Sequence, residues 1–257
     1  MTYRPRIIPV LLLHEGGLVK SAQFKDYTYI GDPMNAVKIF NEMNADELIF
    51  LDITASKQGR TISTELVRAI GEEAKMPFCV GGGIRSLDDI QHLVQAGAEK
   101  VVLGHSAASN PSFVREASRA FGSSTISVCI DIKKDFWGRE KIWSENGKQS
   151  HNYAPKDFAL QMEDAGAGEL VIQSIQRDGT MQGYDINSIQ ELAQSVAIPV
   201  VALGGAGSLA HLHDLYQKVN VNGLAAGSIF VFHGIHKGVL IQYPTINQKE
   251  VIYADSE

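Results

Sequence analysis

The residues with the clearest chemical potential stand just after short apolar runs: Asp52 with Thr54 and Ser56, Arg85 behind Gly81-Gly82-Gly83, Asp131 with Lys133, and Gln173 with Arg177 and Asp178. A carboxylate such as Asp131, set inside Val128-Cys129-Ile130-Asp131-Ile132, must be hydrated or paired, and in such a setting it can give or take a proton. Asp178, followed by Gly179-Thr180, can equally serve a turn. Two glycine clusters, Gly81-Gly82-Gly83-Ile84 and Gly204-Gly205-Ala206-Gly207, each follow a β-branched run. Strand, glycine-rich turn and helix in succession bring backbone N–H groups close to an anion. Two such turns predict a ligand with phosphate at both ends. A second polar set opens the apolar runs instead: Arg6, Glu47, Lys100 and Glu169. Two cations and two anions can close a ring of ion pairs, which from the residues alone reads as a stabilising feature.

Positioning these groups requires many strand ends on one face. Apolar runs alternate with amphipathic stretches along the chain: Ile7–Leu13, Leu48–Ile53, Pro77–Val80, Lys100–Leu103, Ser127–Ile132, Leu170–Ile175, Pro199–Leu203 and Gly223–Ala226. Helix starts are marked by Asp32 before Pro33, Ser86 before Leu87-Asp88-Asp89, and Asn110 before Pro111. Eight strand–helix units predict an α/β fold, a single-domain (β/α)8 barrel, over residues 1–257. The glycine clusters lie about half a chain apart, and Glu47-Leu48-Ile49-Phe50-Leu51 has its counterpart at the same separation in Glu169-Leu170-Val171-Ile172-Gln173. The barrel is therefore expected to be two half-barrels, about 4–122 and 123–234, with a tail at 238–257 that lacks a clear helical period. The polar stretch Lys133–Tyr153 reads as a long loop or small hairpin on the active-site face.

Composition narrows the partners. The 257 residues are 44% hydrophobic with a formal net charge of −6, and no long basic block provides a footprint for nucleic acid. Cys79 and Cys129 fall in strand-like runs and read as reduced core thiols. The apolar run near the N-terminus is short and broken by Pro9 and His14, so neither a secretory signal nor a membrane span is expected, and the protein reads as cytoplasmic. Nothing calls for a metal or cofactor.

Over residues 4–234 the chain resembles the HisF family, the cyclase subunit of imidazole glycerol phosphate synthase. The resemblance is carried by Arg6-Ile7-Ile8, Val19-Lys20, Gly31-Asp32-Pro33, Asp46–Ser56, Val80–Ile84, Gly97–Val101, Phe121-Gly122-Ser123, Arg177–Thr180, Gly183-Tyr184-Asp185 and Gly204–Gly207. It implies a HisH-like class-I glutaminase docked on the N-terminal face of the barrel, releasing ammonia that passes a gate of Arg6, Glu47, Lys100 and Glu169. It further implies phosphate contacts at Gly82, Gly83, Gly104, Asp178, Gly179, Gly205, Gly227 and Ser228, and substrate contacts at Lys20 and Asp52.

The departures from the family pattern fall on the chemistry. Of the two aspartates that the cyclase uses as acid and base, one corresponds to Asp131 and the other falls on Leu12. Losing one member of such a pair removes about 10²–10⁴-fold in rate. His14 and Glu15 share the loop but lie two or three positions along. Gly104-His105 replaces an Asn-Thr pair, Gln173 a Thr, and Leu203 a Ser. The run Ile7–Leu13 and the tail Gly238–Pro244 are similar to the WbuZ-type HisF paralogues of surface-polysaccharide clusters. That resemblance implies ammonia supply to a third protein, an amidotransferase that forms an acetamidino group on a sugar. The alternatives are a true cyclase of histidine biosynthesis and a non-catalytic activator of the glutaminase.

Overall fold

β-branched and aliphatic runs of four to nine residues, most of them leading on to an amphipathic helix, build the molecule from repeated strand–helix steps. The computed structural model describes residues 4–234 and 236–254, so the first three residues and the last three of the tail lie outside the described residues. The strands are β1 (Arg6–His14), β2 (Gly17–Ala22), β3 (Lys25–Gly31), β4 (Leu48–Asp52), β5 (Phe78–Gly81), β6 (Lys100–Leu103), β7 (Ile126–Lys134), β8 (Glu140–Ser144), β9 (Gln149–His151), β10 (Glu169–Ser174), β11 (Val200–Leu203) and β12 (Gly223–Ala226). Eight of them, β1, β4, β5, β6, β7, β10, β11 and β12, pair in parallel in that order and close on β1, which makes the (β/α)8 barrel.

Local sequence explains the helices around it. Asp32 accepts from Asn35 N with Pro33 in the first turn, which starts the helix Pro33–Glu42. Ser86 and Asp89 form a reciprocal capping box for Leu87–Gln95. Asn110 stands at the start of Pro111–Phe121 but does not cap it; its side chain accepts from the Ser112 hydroxyl instead.

The apolar residues divide in two. One cluster, including Phe40, Val67, Leu93, Val114, Leu192 and Leu215, lies between strands and helices. The other fills the barrel itself: Ile8, Val10, Ile49, Cys79, Val102, Val171, Val201, Leu203 and Ala225, with Leu12, Leu51 and Cys129 against it. Strand periodicity separates them, since alternate side chains point to opposite faces.

Each set of four barrel strands carries an antiparallel excursion after its first member: β2–β3 after β1, and β8–β9 after β7. The second accounts for the polar stretch before Tyr153, and the first is an addition to the sequence reading. The tail holds a two-stranded ribbon, Phe232–His233 with Gly238–Val239, and a short helix, Ile246–Ile252. Tyr243 fastens it to the barrel bottom, donating to Ile7 O at 2.8 Å and accepting from Asp46 N at 3.0 Å.

Candidate functional site

A cavity of about 390 Å³ opens at the C-terminal ends of the barrel strands. Leu12, Leu51, Val102, Cys129, Asp131 and Gln173 reach it from inside the barrel, Asp52, Gly82, Gly83 and Gly104 from the turns, and Phe24, Tyr27 and Asn146 from the excursions. Burial pushes Asp131 up to about 7, only partly offset by the Cys129 thiol 3.4 Å from Oδ1, and Asp178 adds to the rise. A carboxyl group that titrates near neutrality can act as either acid or base.

This shift fixes a pH effect. The native Asp131 keeps its proton up to about pH 7, whereas the unfolded group releases it near 3.8, so its contribution to stability is full below pH 4 and is lost as pH rises through 7. Asp131→Asn removes the penalty. We expect the variant to gain about 2 kcal/mol over wild type at pH 8, after allowing for the mouth-side exposure of the group, and to match it near pH 4. Urea titrations of both proteins at the two pH values measure this; parallel pH dependences would refute it.

Leu12 holds the place in the first set of strands that Asp131 holds in the second. Leu12 pairs with Val19 of its excursion and Leu51 of the next barrel strand, and Asp131 pairs with Trp143 and Gln173. His14 stacks on Tyr27 with ring centroids 5.2 Å apart, and Glu15 is exposed; neither lines the cavity.

Other sequence-chosen residues have local partners. The Asp52 carboxylate accepts from Thr54 N, Thr54 Oγ1 and Ala55 N on one oxygen and from Arg60 at 2.6 Å on the other, so it orders its own loop while bordering the cavity. Ser56 lines the cavity, Arg85 donates to Gly59 O, and Lys133 Nζ lies 4.6 Å from the Trp143 ring centroid.

The phosphate-contact residues separate into two places. Gly82, Gly83 and Gly104 border the cavity. A Cβ on Gly83, at φ +69°, would lie 1.8 Å from Arg60 O, whereas one on Gly104 would meet nothing within 4 Å. Loop packing alone therefore demands glycine at 83, and Gly104 faces free space. Asp178, Gly179, Gly205, Gly227 and Ser228 lie outside the cavity lining, and the β2 strand packs over part of this set. Ser21 Oγ donates to Asp178 at 3.1 Å, and the Lys20 ammonium, bonded to Val10 O, occupies the space beside Gly227. Burial pulls Lys20 down to about 8 against the attraction of Asp178, and burial raises Asp178 despite Lys20. Both groups move toward their neutral forms, so desolvation outweighs their mutual attraction.

One feature of the cavity has no counterpart in the sequence reading. Ser144 Oγ lies 3.1 Å from His105 Nδ1 and 2.8 Å from His151 Nε2, tying the turn after β6 to the β8–β9 excursion. Asn146 then reaches across to Ile53 O at 3.0 Å. His105 was visible as a replacement, but its partners lie about forty residues on, beyond any local spacing rule.

At the opposite end, Arg6, Glu47, Lys100 and Glu169 meet. Arg6 Nη1 pairs with Glu47 and Nη2 with Glu169, while Lys100 Nζ lies 3.6 Å from Glu47 and 3.2 Å from Glu169. The glutamates are 2% and 5% exposed, and among the described residues Arg6 and Lys100 are the cations that compensate them. Burial pulls Lys100 down, but Glu169 and Glu47 outweigh it and hold the ammonium above the ordinary lysine value. Cys79 adds a thiol hydrogen bond to Glu47 at 2.9 Å, and both cysteines are free thiols, Cys129 facing the cavity floor. The apolar barrel interior joins this ring to Asp131.

Among the described residues no cluster of three His, Cys, Asp or Glu is placed to hold a metal, and no helix is long and apolar enough to cross a membrane.

Comparison with known proteins places these features in context. The family model described as histidine biosynthesis protein matches residues 6–236. A protein of Pseudomonas aeruginosa named "Putative imidazole glycerol phosphate synthase subunit hisF2" is 44% identical over 96% of this chain and 99% of its own. A like-named HisF protein of Leptospira borgpetersenii is 45% identical over 97% and 99%. Imidazole glycerol phosphate synthase subunit HisF of Streptococcus sanguinis is 37% identical over 88% of this chain and 90% of its own.

Proposed function

The chain belongs to the histidine biosynthesis protein family as a HisF-type subunit, and from that premise we propose that it is the ammonia-conducting barrel of a glutamine amidotransferase. In this reading a HisH-like glutaminase docks on the face that carries the ring, ammonia crosses the ring and the apolar interior, and a separate amidotransferase takes it up to form an acetamidino group on a sugar for surface polysaccharide. The observation that carries the reading is an asymmetry between the two ends: the ring at the bottom is complete, whereas the acid–base pair at the top has Asp131 and, in the matching place, Leu12. Conduction needs the first and not the second.

The retained Asp131 and the glycine turns favour a second reading, a cyclase of histidine biosynthesis with an altered acid. Glutamine hydrolysis separates a docking subunit from an isolated barrel. Adding this protein to a HisH-like glutaminase should raise its hydrolysis rate by about tenfold or more, in the range of coupling free energies between linked sites. No change in a steady-state glutaminase assay would remove the docking proposal.

A further inference from the structure

One buried hydroxyl in the barrel has no partner. Ser127 is 1% exposed, and among the described residues its Oγ is the one buried side-chain nitrogen or oxygen without a hydrogen bond. Such a group is costly to leave empty-handed, and a small bound molecule is a common resolution.

Its position is informative. β7 runs between β6, which carries Lys100, and β10, which carries Glu169, so the Lys100–Glu169 pair spans the strand that holds Ser127. In register Ser127 stands opposite Glu169 and Val102. Strand alternation puts its side chain on the same face as Cys129 and Asp131, which reach the cavity from the barrel interior. The hydroxyl therefore looks into the barrel just inside the ring. The corresponding gap on the other side, between the strands of Glu47 and Lys100, is filled by Cys79, whose thiol is already bonded to Glu47. Beyond Ser127 the interior is lined by Val10, Val102, Val171 and Ala225.

We propose that Ser127 Oγ binds one small neutral hydrogen-bonding molecule just inside the ring of Arg6, Glu47, Lys100 and Glu169, water in the resting barrel and ammonia in transit. The ammonia half rests on the conduit reading above. A hydroxyl can donate to the nitrogen lone pair of ammonia or accept one of its N–H groups. Ammonium is excluded, because beyond the ring it would lose its hydration among the valines. Ser127 thus offers a neutral molecule its first hydrogen bond after the ring, before the apolar stretch that leads to Asp131.

Two measurements test this. Magnetisation transfer from water to backbone amides of the isotope-labelled barrel should show a long-lived molecule beside Ser127 and Val102. The signal should vanish in Ser127→Val and persist in Ser127→Thr, which nearly matches the valine in size and keeps the hydroxyl. Absence from wild type, or persistence in the valine variant, would overturn the site. In the complete system of barrel, glutaminase and amidotransferase, Ser127→Val should lower product formed per glutamine hydrolysed about 2- to 10-fold, the factor one neutral hydrogen bond supplies. Ser127→Thr should restore it, and ammonium-dependent product should stay unchanged. Equal coupling in the valine variant would overturn the transit role. A wild-type system that uses glutamine no better than free ammonium would instead remove the conduit and the transit role together, while the water measurement would still decide the site.

Discussion

Arg6→Ala is expected to lower the melting temperature by about 5–10 °C and to uncouple glutamine hydrolysis from amidation severalfold. The stability effect follows from what the side chain leaves behind. Its two terminal guanidinium nitrogens serve different glutamates, and both glutamates are buried with, among the described residues, Lys100 as the one other cation. Removing one partner of a buried ion pair costs about 3–5 kcal/mol; because the Arg6 side chain is 28% exposed, about 2–3 kcal/mol is the better expectation. In a chain of this size that shifts the midpoint by the amount stated. Arg6→Lys should recover part of the stability and less of the coupling, since an ammonium cannot present a fork to two carboxylates. Thermal melts and the ratio of product to hydrolysed glutamine are the readouts. A variant that loses stability but keeps wild-type coupling would show the ring to be structural only.

The ring was legible in the sequence because Arg6, Lys100 and Glu169 begin barrel strands and Glu47 immediately precedes one, and strand starts share one face whatever the loops do. Barrel closure was legible for a related reason: eight apolar runs at regular intervals leave few other architectures. The polar stretch Lys133–Tyr153 already read as a loop or small hairpin, and β8–β9 is that hairpin; the β2–β3 strands were not legible. Residues 25 to 29 of β3 are all exposed, Tyr29 at 67%, so no apolar alternation announces these strands. They change the site, because β2 brings Lys20 and Ser21 over the Asp178 and Gly227 turns and leaves the open cavity on the side of Gly82, Gly104 and Asp131. Glycine content alone could not distinguish a turn that packs against a neighbouring carbonyl, as at Gly83, from one that faces space, as at Gly104. The Ser144 link between His105 and His151 was likewise hidden, since it depends on where an irregular stretch folds back.

Wild-type protein supplied with ammonium and the ribulosyl aminoimidazole carboxamide nucleotide is expected to turn over at least about 10²-fold more slowly than a cyclase with both carboxyl groups. The resemblance assigns proton transfer to two aspartates, and Leu12 provides no proton. Leu12→Asp places a carboxyl group on the cavity floor beside Leu51, in the position matching Asp131, and should raise turnover about tenfold or more. The gain is limited because Gly104, His105, Gln173 and Leu203 keep the other departures in place. Burial among Leu51 and Val19 will hold the new acid above its ordinary value, and Asp131 facing the same cavity will add repulsion. The two groups should then titrate as a pair, and the rate should fall as pH rises far enough to ionise both. Leu12→Asn, equal in size and unable to release a proton, separates polarity from proton transfer and should give no gain. Nucleotide consumption followed by chromatography, with urea melts to verify folding, measures all three proteins. Robust turnover by the wild type would defeat the ammonia-delivery reading, because a barrel that closes the ring of the product with Leu12 in place has no need of a separate acceptor.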